Sequence, residues 1–377
     1  MLNATTHVLL VSAQAAPNLL AALDPGLKPA EAVLMVSNKM RTRADAMETV
    51  LREVGIKTHR VMLQDEHDFA GLGNALLEVA SARSGQSIAL NVTGGTKLMA
   101  LAAQSVAQAA GWTVFYVDVD TDEVIWLASE PRRQKLSEQL RLPHYLRGYG
   151  FKLEGNVQRA QPAPRHTDLL RTLVTQVGSL EQPLSQLNWL GQESEDKKTL
   201  KVKLSAQQMD SRALEALLRH FSDAEILDVE GDKLTFASEA DRVFAKGGWL
   251  EQYVFQTVSA ATGDLAIRDK AANLAVVDDD GVKNELDVAF MARNRLFVIE
   301  CKTARMDKPE APKANGTLFK LSEICRRVGG LGTRGMLASY RPLRDEEKRL
   351  ARALSIELVC GRDLTRLGEK LKRWVTS

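Results

Sequence analysis

The hydrophobic and polar positions of the first 130 residues alternate between short apolar runs and longer amphipathic stretches. The short runs are rich in β-branched residues, whereas the longer ones repeat apolar side chains every three or four positions, so strands and helices are predicted in turn. The strands are predicted at His7–Ala13, Ala32–Ser37, Thr58–Leu63, Ile88–Val92, Thr113–Val119 and Val124–Leu127, and the clearest helices at Arg41–Val54 and Thr96–Ala110. This order predicts an α/β fold with an open, parallel-rich sheet covered by helices.

The periodicity fades after this region, and a linker is predicted at Gln158–Arg165, which is rich in Gln, Ala and Pro. Helices are then predicted over Thr167–Val177 and Arg212–Phe221, followed by a small hairpin of Ala224–Val229 and Lys233–Ala237. This segment is either a winged-helix-like connector or the front of the next domain. We therefore predict three parts, residues 1–150, 151–240 and 241–377.

The third part has a mixed α/β pattern. Its predicted elements are a helix near Trp249–Ala260, a strand near Leu274–Asp278, a hairpin over Glu285–Thr303, a helix near Phe319–Val328 and a strand near Gly335–Ser339.

Acidic residues and a lysine lie inside this predicted hairpin. Glu300 and Lys302 are two positions apart in an almost wholly apolar strand, so they project from the same face. If Arg293-Asn294 forms a two-residue turn, paired positions sum to 587 and Asp287 lies opposite Glu300. Their Cβ atoms would then be about 5 Å apart.

Two facing carboxylates in an apolar sheet are costly unless a positive charge lies between them. Carboxylate ligands that leave room for substrate phosphates suit Mg²⁺ or Mn²⁺, and Lys302 could orient the attacking water or offset negative charge. The alternative is a structural salt-bridge cluster near the strand end.

An acid, a hairpin and then Glu-x-Lys resemble the PD-(D/E)xK nuclease superfamily. The resemblance implies that a Glu from the preceding helix joins the site, and Gly247-Gly248-Trp249-Leu250-Glu251 matches that element. It implies Glu251, Asp287 and Glu300 as metal ligands, with Lys302 as a further catalytic residue. The Pro expected before the first Asp is missing, and Glu285, on the face of Asp287, is expected at the rim.

A second candidate site follows the predicted strand Ile88–Val92, where Thr93-Gly94-Gly95-Thr96-Lys97 leads into a helix. Backbone N–H groups at such a helix start favour an anion, and Thr96 can cap the helix. Neither a P-loop nor a GxGxxG fingerprint is present, which disfavours NTP hydrolysis. In an open α/β sheet the loops after the first two strands, with Ser12, Gln14 and Asn38, border the same pocket.

This loop and the order of the domains resemble the CARF-domain nucleases of type III CRISPR defence. The resemblance implies a Rossmann-like CARF sensor, a homodimer, and cyclic tetra-adenylate as activator. It implies that the ligand pocket is lined by Ser12, Asn38, Thr93, Gly94, Gly95, Thr96 and Lys97. The implied reaction is cleavage of single-stranded RNA or DNA, or nicking of duplex DNA.

Charge and composition add three constraints. Residues 293–377 hold 20 Lys and Arg against 10 Asp and Glu, the sign expected of a surface that contacts phosphates, although a solvated helical face is an alternative. The candidate phosphate contacts are Lys320, Arg326, Arg327, Arg334, Arg341 and Arg344. Three cysteines suggest neither disulfides nor zinc, and the lack of an apolar run long enough to span a bilayer predicts a cytoplasmic protein without membrane contact.

One competing function stays open. A CARF-type nucleotide-sensing transcriptional regulator would use the middle segment to bind DNA and would have a non-catalytic C-terminal domain. Arg212–Phe221 is mostly Leu, Ala and Glu, which disfavours it as a recognition helix. A restriction-type enzyme with a sequence-reading front domain is disfavoured because the front half is not basic.

Overall fold

Parallel strands alternate with helices through the N-terminal part, as the hydrophobic pattern predicts. The computed structural model describes residues 4–130, 132–137, 140–155, 166–303, 313–329 and 332–377. The elements of this part are β1 (Thr6–Leu10), α1 (Ala16–Leu23), β2 (Glu31–Ser37), α2 (Arg41–Glu53), β3 (Lys57–Leu63), α3 (Phe69–Ala82), β4 (Ile88–Asn91), α4 (Lys97–Ala109), β5 (Thr113–Asp118), β6 (Glu123–Trp126) and β7 (Arg132–Lys135). The predicted linker Gln158–Arg165 lies outside the described residues.

The seven strands form one sheet in the order β3-β2-β1-β4-β5-β6-β7. Strands β1 to β5 are parallel, and β6 and β7 run antiparallel at one edge. Both β1 and β2 are buried along almost their whole length, because helices cover both faces of the sheet. The predicted parallel-rich α/β fold is confirmed.

The middle of the chain contains a small antiparallel sheet. The elements are α5 (Leu142–Gly148), β8 (Phe151–Glu154), α6 (Thr167–Thr175), α7 (Val177–Asp196), β9 (Lys201–Lys203), α8 (Ala206–Met209), α9 (Arg212–Asp223), β10 (Leu227–Glu230) and β11 (Lys233–Phe236). Strands β9 to β11 pair in the order β10-β11-β9. From α7 onward the order is helix, strand, two helices and a hairpin, which is the order of a winged-helix module.

The helix predicted over Thr167–Val177 is confirmed as α6, and a second helix that the sequence pattern did not predict directly follows it. The second, α7, is 20 residues long and contains Pro183. Proline, Gly178 and many polar residues hide its periodicity in the sequence, yet its buried side, which includes Leu187, packs in one core with the C-terminal sheet. Tertiary packing therefore outweighs weak helix propensity.

The C-terminal part has the predicted mixed α/β order. Its elements are α10 (Glu239–Val243), α11 (Trp249–Ala260), β12 (Asp269–Asp278), β13 (Lys283–Ala292), β14 (Arg295–Lys302), α12 (Lys313–Gly329), β15 (Arg334–Ser339), α13 (Asp345–Ala353), β16 (Ile356–Cys360) and α14 (Leu367–Thr376). The sheet order is β16-β15-β14-β13-β12-β8, so β14 is central, as predicted. The edge strand β8 comes from the chain that directly follows the first sheet.

Two hydrophobic cores cover the faces of the C-terminal sheet. One is continuous with a core of the first sheet and includes Leu9, Leu34, Val298 and Leu321. The other joins the opposite face to α6, α7 and α11. Within the ranges described above, no helix combines the length and apolar character needed to cross a membrane.

Candidate functional site

The hairpin of β13 and β14 has the register that the sequence predicts. Paired positions sum to 587, and the last pair before the ladder ends is Val288 with Ile299. The turn at Arg293–Asn294 has φ values of 50° and 54°, as a type I′ turn requires. The next position along the hairpin places Asp287 opposite Glu300.

Three of the predicted catalytic side chains lie together at the end of this hairpin. The Lys302 ammonium is 2.7 Å from Glu300 Oε1 and 4.0 Å from Asp287 Oδ2. Asp287 Oδ2 also accepts a hydrogen bond of 2.7 Å from the Cys301 N–H. One oxygen of Asp287 is therefore held by the backbone of the neighbouring strand, which fixes the direction of its carboxylate.

Glu251 is positioned by an unusual helix start. It lies in the first turn of α11, directly after a π-helical turn over Phe244–Gly248 in which Gly247 has φ 149°. A Cβ at Gly247 would lie 2.6 Å from Oγ1 of Thr303, the residue that follows Lys302. The backbone therefore passes directly over the end of β14, and only glycine allows this approach.

The electrostatics join Glu251 to the hairpin. Burial, followed by repulsion from Asp287, raises the pKa of Glu251 to about 8. Burial and repulsion from Glu300 raise the pKa of Asp287 to about 6. Burial opposes the charge of Lys302, but Glu300 and Asp287 outweigh it and raise the pKa of the ammonium. This cluster carries more negative charge than Lys302 alone balances.

An asparagine that sequence reasoning missed lies on the strand next to Asp287. The register of β12 and β13 places Asn273 opposite Asp287, and Asn273 has φ 49° inside a strand. Its Oδ1 is buried, and no hydrogen-bond partner for it is found among the described residues. A left-handed residue with an orphaned oxygen on the strand next to an acidic site is typical of a functional site. The only signal in the sequence is an Asn between apolar neighbours.

The donor set can be tested against a divalent cation. Within the described parts of the chain, no three His, Cys, Asp or Glu side chains converge closely enough, as they stand, to hold a metal ion. The Lys302 ammonium lies between Glu300 and Asp287, where positive charge is needed. Burial and mutual repulsion raise the pKa values of Glu251 and Asp287, and the Asn273 oxygen has no partner among the described residues. The chemistry of these hard oxygen donors fits Mg²⁺ or Mn²⁺.

Most of the candidate phosphate-binding arginines form ion pairs or hydrogen bonds within the protein. Arg327 pairs with Asp278, Arg344 with Glu347, and Arg341 with Glu181, leaving the Arg341 side chain only 13% exposed. Arg326 pairs with Glu323, and Arg334 contacts the C-terminal Ser377. The local excess of positive charge is therefore smaller at the surface than in the sequence.

The second candidate site lies at the carboxyl edge of the first sheet. The loops after β1, β2 and β4 all leave this edge. From β1 the chain adds β2 and β3 on one side of the sheet and then β4 and β5 on the other, and α/β sheets bind ligands at such a switch point. A Cβ at Gly94 would lie 2.1 Å from the Leu10 carbonyl oxygen, and Gly95 has φ 73°. Thr96 Oγ1 accepts from the Met99 N–H and caps α4, as predicted.

Buried asparagines, also missed in the sequence, hold this loop. The Asn91 amide donates to Asn18 Oδ1 at 2.9 Å, and Asn91 Oδ1 accepts from both the backbone and the hydroxyl of Thr93. Thr93 Oγ1 in turn accepts from the Val117 N–H at 2.7 Å. The two asparagines are fully buried, so the loop is held by a satisfied polar network.

The other predicted pocket residues line the same edge in different ways. Ser12 makes hydrogen bonds within its own loop, and Gln14 Oε1 accepts from the Tyr149 hydroxyl at 3.0 Å. Asn38 is exposed and accepts from Arg41, and Lys97 is exposed at the start of α4. The candidate ligand residues thus combine backbone amides with one exposed cation.

Comparisons with known proteins match two regions of the chain. Residues 6–145 match the family of Card1 CARF domains, and residues 238–377 match that of Card1-like endonuclease domains. Protein VC1899 from Vibrio cholerae is similar over 98% of this chain and 97% of its own, with 27% identity and a TM-score of 0.90. No curated protein matches the chain.

Two further solved structures share the fold. Can2 from Sulfobacillus thermosulfidooxidans, solved with cyclic tetra-adenylate, covers 100% of this chain and 98% of its own at 24% identity and a TM-score of 0.81. A type III CRISPR defence DNA nuclease activated by cyclic oligoadenylate covers 89% of this chain and 45% of its own at 21% identity and a TM-score of 0.58. With both family matches, the chain belongs to the CARF-domain nucleases and joins a Card1-type CARF domain to a Card1-like endonuclease domain.

Proposed function

We propose that this protein is a divalent-metal-dependent endonuclease activated by a cyclic oligoadenylate. The observation that carries the proposal is the cluster of Asp287, Glu300 and Lys302 at one end of the hairpin. The lysine ammonium lies within 4.0 Å of an oxygen of each carboxylate. A purely structural ion pair would not need the repelling acid Glu251 beside it, whose pKa is about 8.

The side chains have separate roles in this proposal. Glu251, Asp287 and Glu300 would hold Mg²⁺ or Mn²⁺, which supplies Lewis-acid polarisation of the scissile phosphate and an acidified water. Asp287 is oriented by the Cys301 N–H. Lys302, freed from Glu300, would face the phosphate and offset the charge that develops on its oxygens.

The activator is proposed to bind at the carboxyl edge of the first sheet. Backbone amides at Gly94 and Gly95, the start of α4 and the exposed Lys97 form an anion site. Similarity to Can2, whose structure contains cyclic tetra-adenylate, favours that ligand. A ring with near-twofold symmetry suits a homodimer that presents two copies of the loop.

The substrate is proposed to be single-stranded RNA or DNA, or duplex DNA that is nicked. The test is cleavage of labelled single-stranded RNA, single-stranded DNA and supercoiled plasmid with Mn²⁺, with and without cyclic tetra-adenylate. Cleavage that needs both metal and activator is the expected result. Cleavage without the activator would discard the sensor role, and no cleavage despite tight activator binding would discard the nuclease.

A matched pair of variants tests the catalytic assignment. Glu300→Gln should lower kcat by about a hundredfold or more, the scale of losing one electrostatic contact to a transition state. Glu285→Gln alters an exposed carboxylate near the same strand end and should have a much smaller effect. Equal activity of the two variants would remove Glu300 from the site.

The winged-helix order of the middle segment favours one alternative, a nucleotide-sensing transcriptional regulator. The exposed face of α9 contains Arg212 and Arg219 together with Glu215 and Asp223, and Arg219 pairs with Glu215. These charges cancel, which suits a helix that supports the nuclease better than one that enters a DNA groove. Specific binding of duplex DNA by the Glu300→Gln variant, without cleavage by the wild type, would support this alternative.

A further inference from the structure

The closed end of the catalytic hairpin lies against the sensor domain. Asn294, at the tip between β13 and β14, is 3% exposed. Its amide donates to Asp122 Oδ1, and its Oδ1 accepts from the Leu140 N–H at 3.0 Å. The adjacent Arg295 pairs with Asp120. Both acids belong to the turn that joins β5 to β6 in the first sheet.

That turn is connected to the proposed activator loop. Thr93 Oγ1 accepts from the N–H of Val117 in β5, and β5 ends at Asp118, where the turn begins. On the other side, five residues of β14 lie between Asn294 and Glu300, and the six steps along the strand span about 20 Å. One hydrogen-bonded route of stiff elements therefore links the activator loop to the catalytic carboxylates.

At this contact Arg293 is held in a backbone conformation that is unfavourable for its side chain. Arg293, Asn294 and Asp122 all have positive φ, at 50°, 54° and 54°. Asn and Asp tolerate this region, whereas it is unfavourable for Arg. Strained residues persist where surrounding contacts fix them, and they gather at functional and switching positions.

We propose that Asn294 is a positioning residue that transmits the state of the sensor to the catalytic end of β13 and β14. The inference rests on the proposed function and adds the regulation of that same site. With the tip docked, Asp287 and Glu300 keep the register seen here. An activator that favours one position of the β5–β6 turn changes how the tip docks, and so shifts the hairpin between a competent and an incompetent arrangement.

Two variants of the same turn separate docking from turn formation. Asn294→Gly keeps a residue that favours positive φ but removes the amide that contacts Asp122 and Leu140. Arg293→Gly, the matched control, removes an exposed side chain from the same turn and leaves that amide in place. Both should express as folded protein, because glycine is well suited to both positions of a type I′ turn.

The first readout is the ratio of cleavage rates with and without saturating cyclic tetra-adenylate. Asn294→Gly should lower this ratio by about tenfold or more relative to Arg293→Gly, with the substrate KM changed by less than about twofold. Equal ratios in the two variants would overturn the proposal.

The second readout needs neither cleavage nor activator. Hydrogen exchange at the Cys301 amide reports the catalytic end, since this N–H donates to Asp287. It should be about tenfold faster or more in Asn294→Gly than in Arg293→Gly. Equal exchange would overturn the proposal even if the wild type is an activated nuclease. Faster exchange in Asn294→Gly than in Arg293→Gly, together with a wild type that cuts without activator, would discard the activation by cyclic tetra-adenylate and keep the docking of the hairpin tip.

Discussion

Individual residues show where folding and function conflict. Glu251, Asp287 and Asn273 are half-buried polar groups whose charges or oxygens are not fully balanced by their neighbours. Folding alone would replace such groups with apolar ones, since an unmatched buried polar group costs about 1–3 kcal/mol. Their placement on three neighbouring elements, α11, β12 and β13, is the strongest residue-level argument for a site that binds a cation.

His7 provides a contrasting buried group that is not part of either site. It is 1% exposed in β1 and packs against Phe115 at 5.3 Å between ring centroids. Burial lowers its pKa to about 4. The unfolded chain, with an ordinary histidine pKa near 6.5, therefore takes up a proton that the folded chain excludes.

This difference predicts acid sensitivity. Stability is unaffected above pH about 6.5 and falls as the pH drops towards 4, by about 2 kcal/mol at pH 5. His7→Leu should not lose stability in this way. When the pH is lowered from 7.5 to 5, its free energy of unfolding should therefore increase relative to that of the wild type by about 2 kcal/mol. Urea unfolding measures it, with the exposed His67→Gln as control; parallel pH curves for wild type and His7→Leu would contradict it.

At the scale of elements, the hairpin of β13 and β14 could be predicted from the sequence, and the elements that pack around it could not. Strand alternation and a turn of Arg293 and Asn294 are local rules, so the pairing of Asp287 with Glu300 follows from the sequence. Features that depend on long-range packing could not be predicted in this way. Pro183 argues against a helix where α7 forms, and Asn273 lies opposite Asp287 only because β12 pairs with β13. Glu251 was assigned to the site through the family resemblance. The sequence alone gives no reason why the start of α11 lies close to the end of β14.

The start of α11 gives an element-scale prediction. Gly247→Ala would force a Cβ to within 2.6 Å of Thr303 Oγ1 at φ 149°, which moves the helix start and Glu251 away from β14. We expect kcat to fall by about tenfold or more, since small misplacements at reacting groups are costly, with a stability loss of about 1–3 kcal/mol.

Its control is Gly73→Ala in α3, where nothing lies within 4 Å of the added Cβ. This change should stabilise the helix by about 1 kcal/mol and leave cleavage unaltered. Normal kcat in Gly247→Ala would show that the close approach has no catalytic role.

On the scale of the whole molecule, the sensor and the nuclease share a core. The cluster that contains Leu9 and Leu34 of the first sheet also contains Val298 and Leu321 of the C-terminal part. Tyr145 of α5, 1% exposed, has its hydroxyl 3.4 Å from the Gly329 carbonyl oxygen at the end of α12. Such continuity predicts that both parts unfold together.

Calorimetry of the full chain with cyclic tetra-adenylate tests this prediction. At about 100 times its Kd the ligand adds about 2.7 kcal/mol to the folded state, and the single transition should shift upward as a whole. Lys97→Ala, which weakens the proposed pocket, should reduce the shift. Two separate transitions, of which only one responds to the ligand, would contradict the shared core.

Strand β8 has a consequence for recombination and for engineered chimeras. It directly follows α5 in sequence, yet it pairs with β12 as the last strand of the nuclease sheet. A chimera that replaces everything before the matched endonuclease region, which begins at residue 238, would leave β12 as an open edge, a template for aggregation. A crossover placed between Gly148 and Phe151 would keep β8 paired with β12, so this junction, and not the match boundary, is the point at which a foreign sensor could be joined.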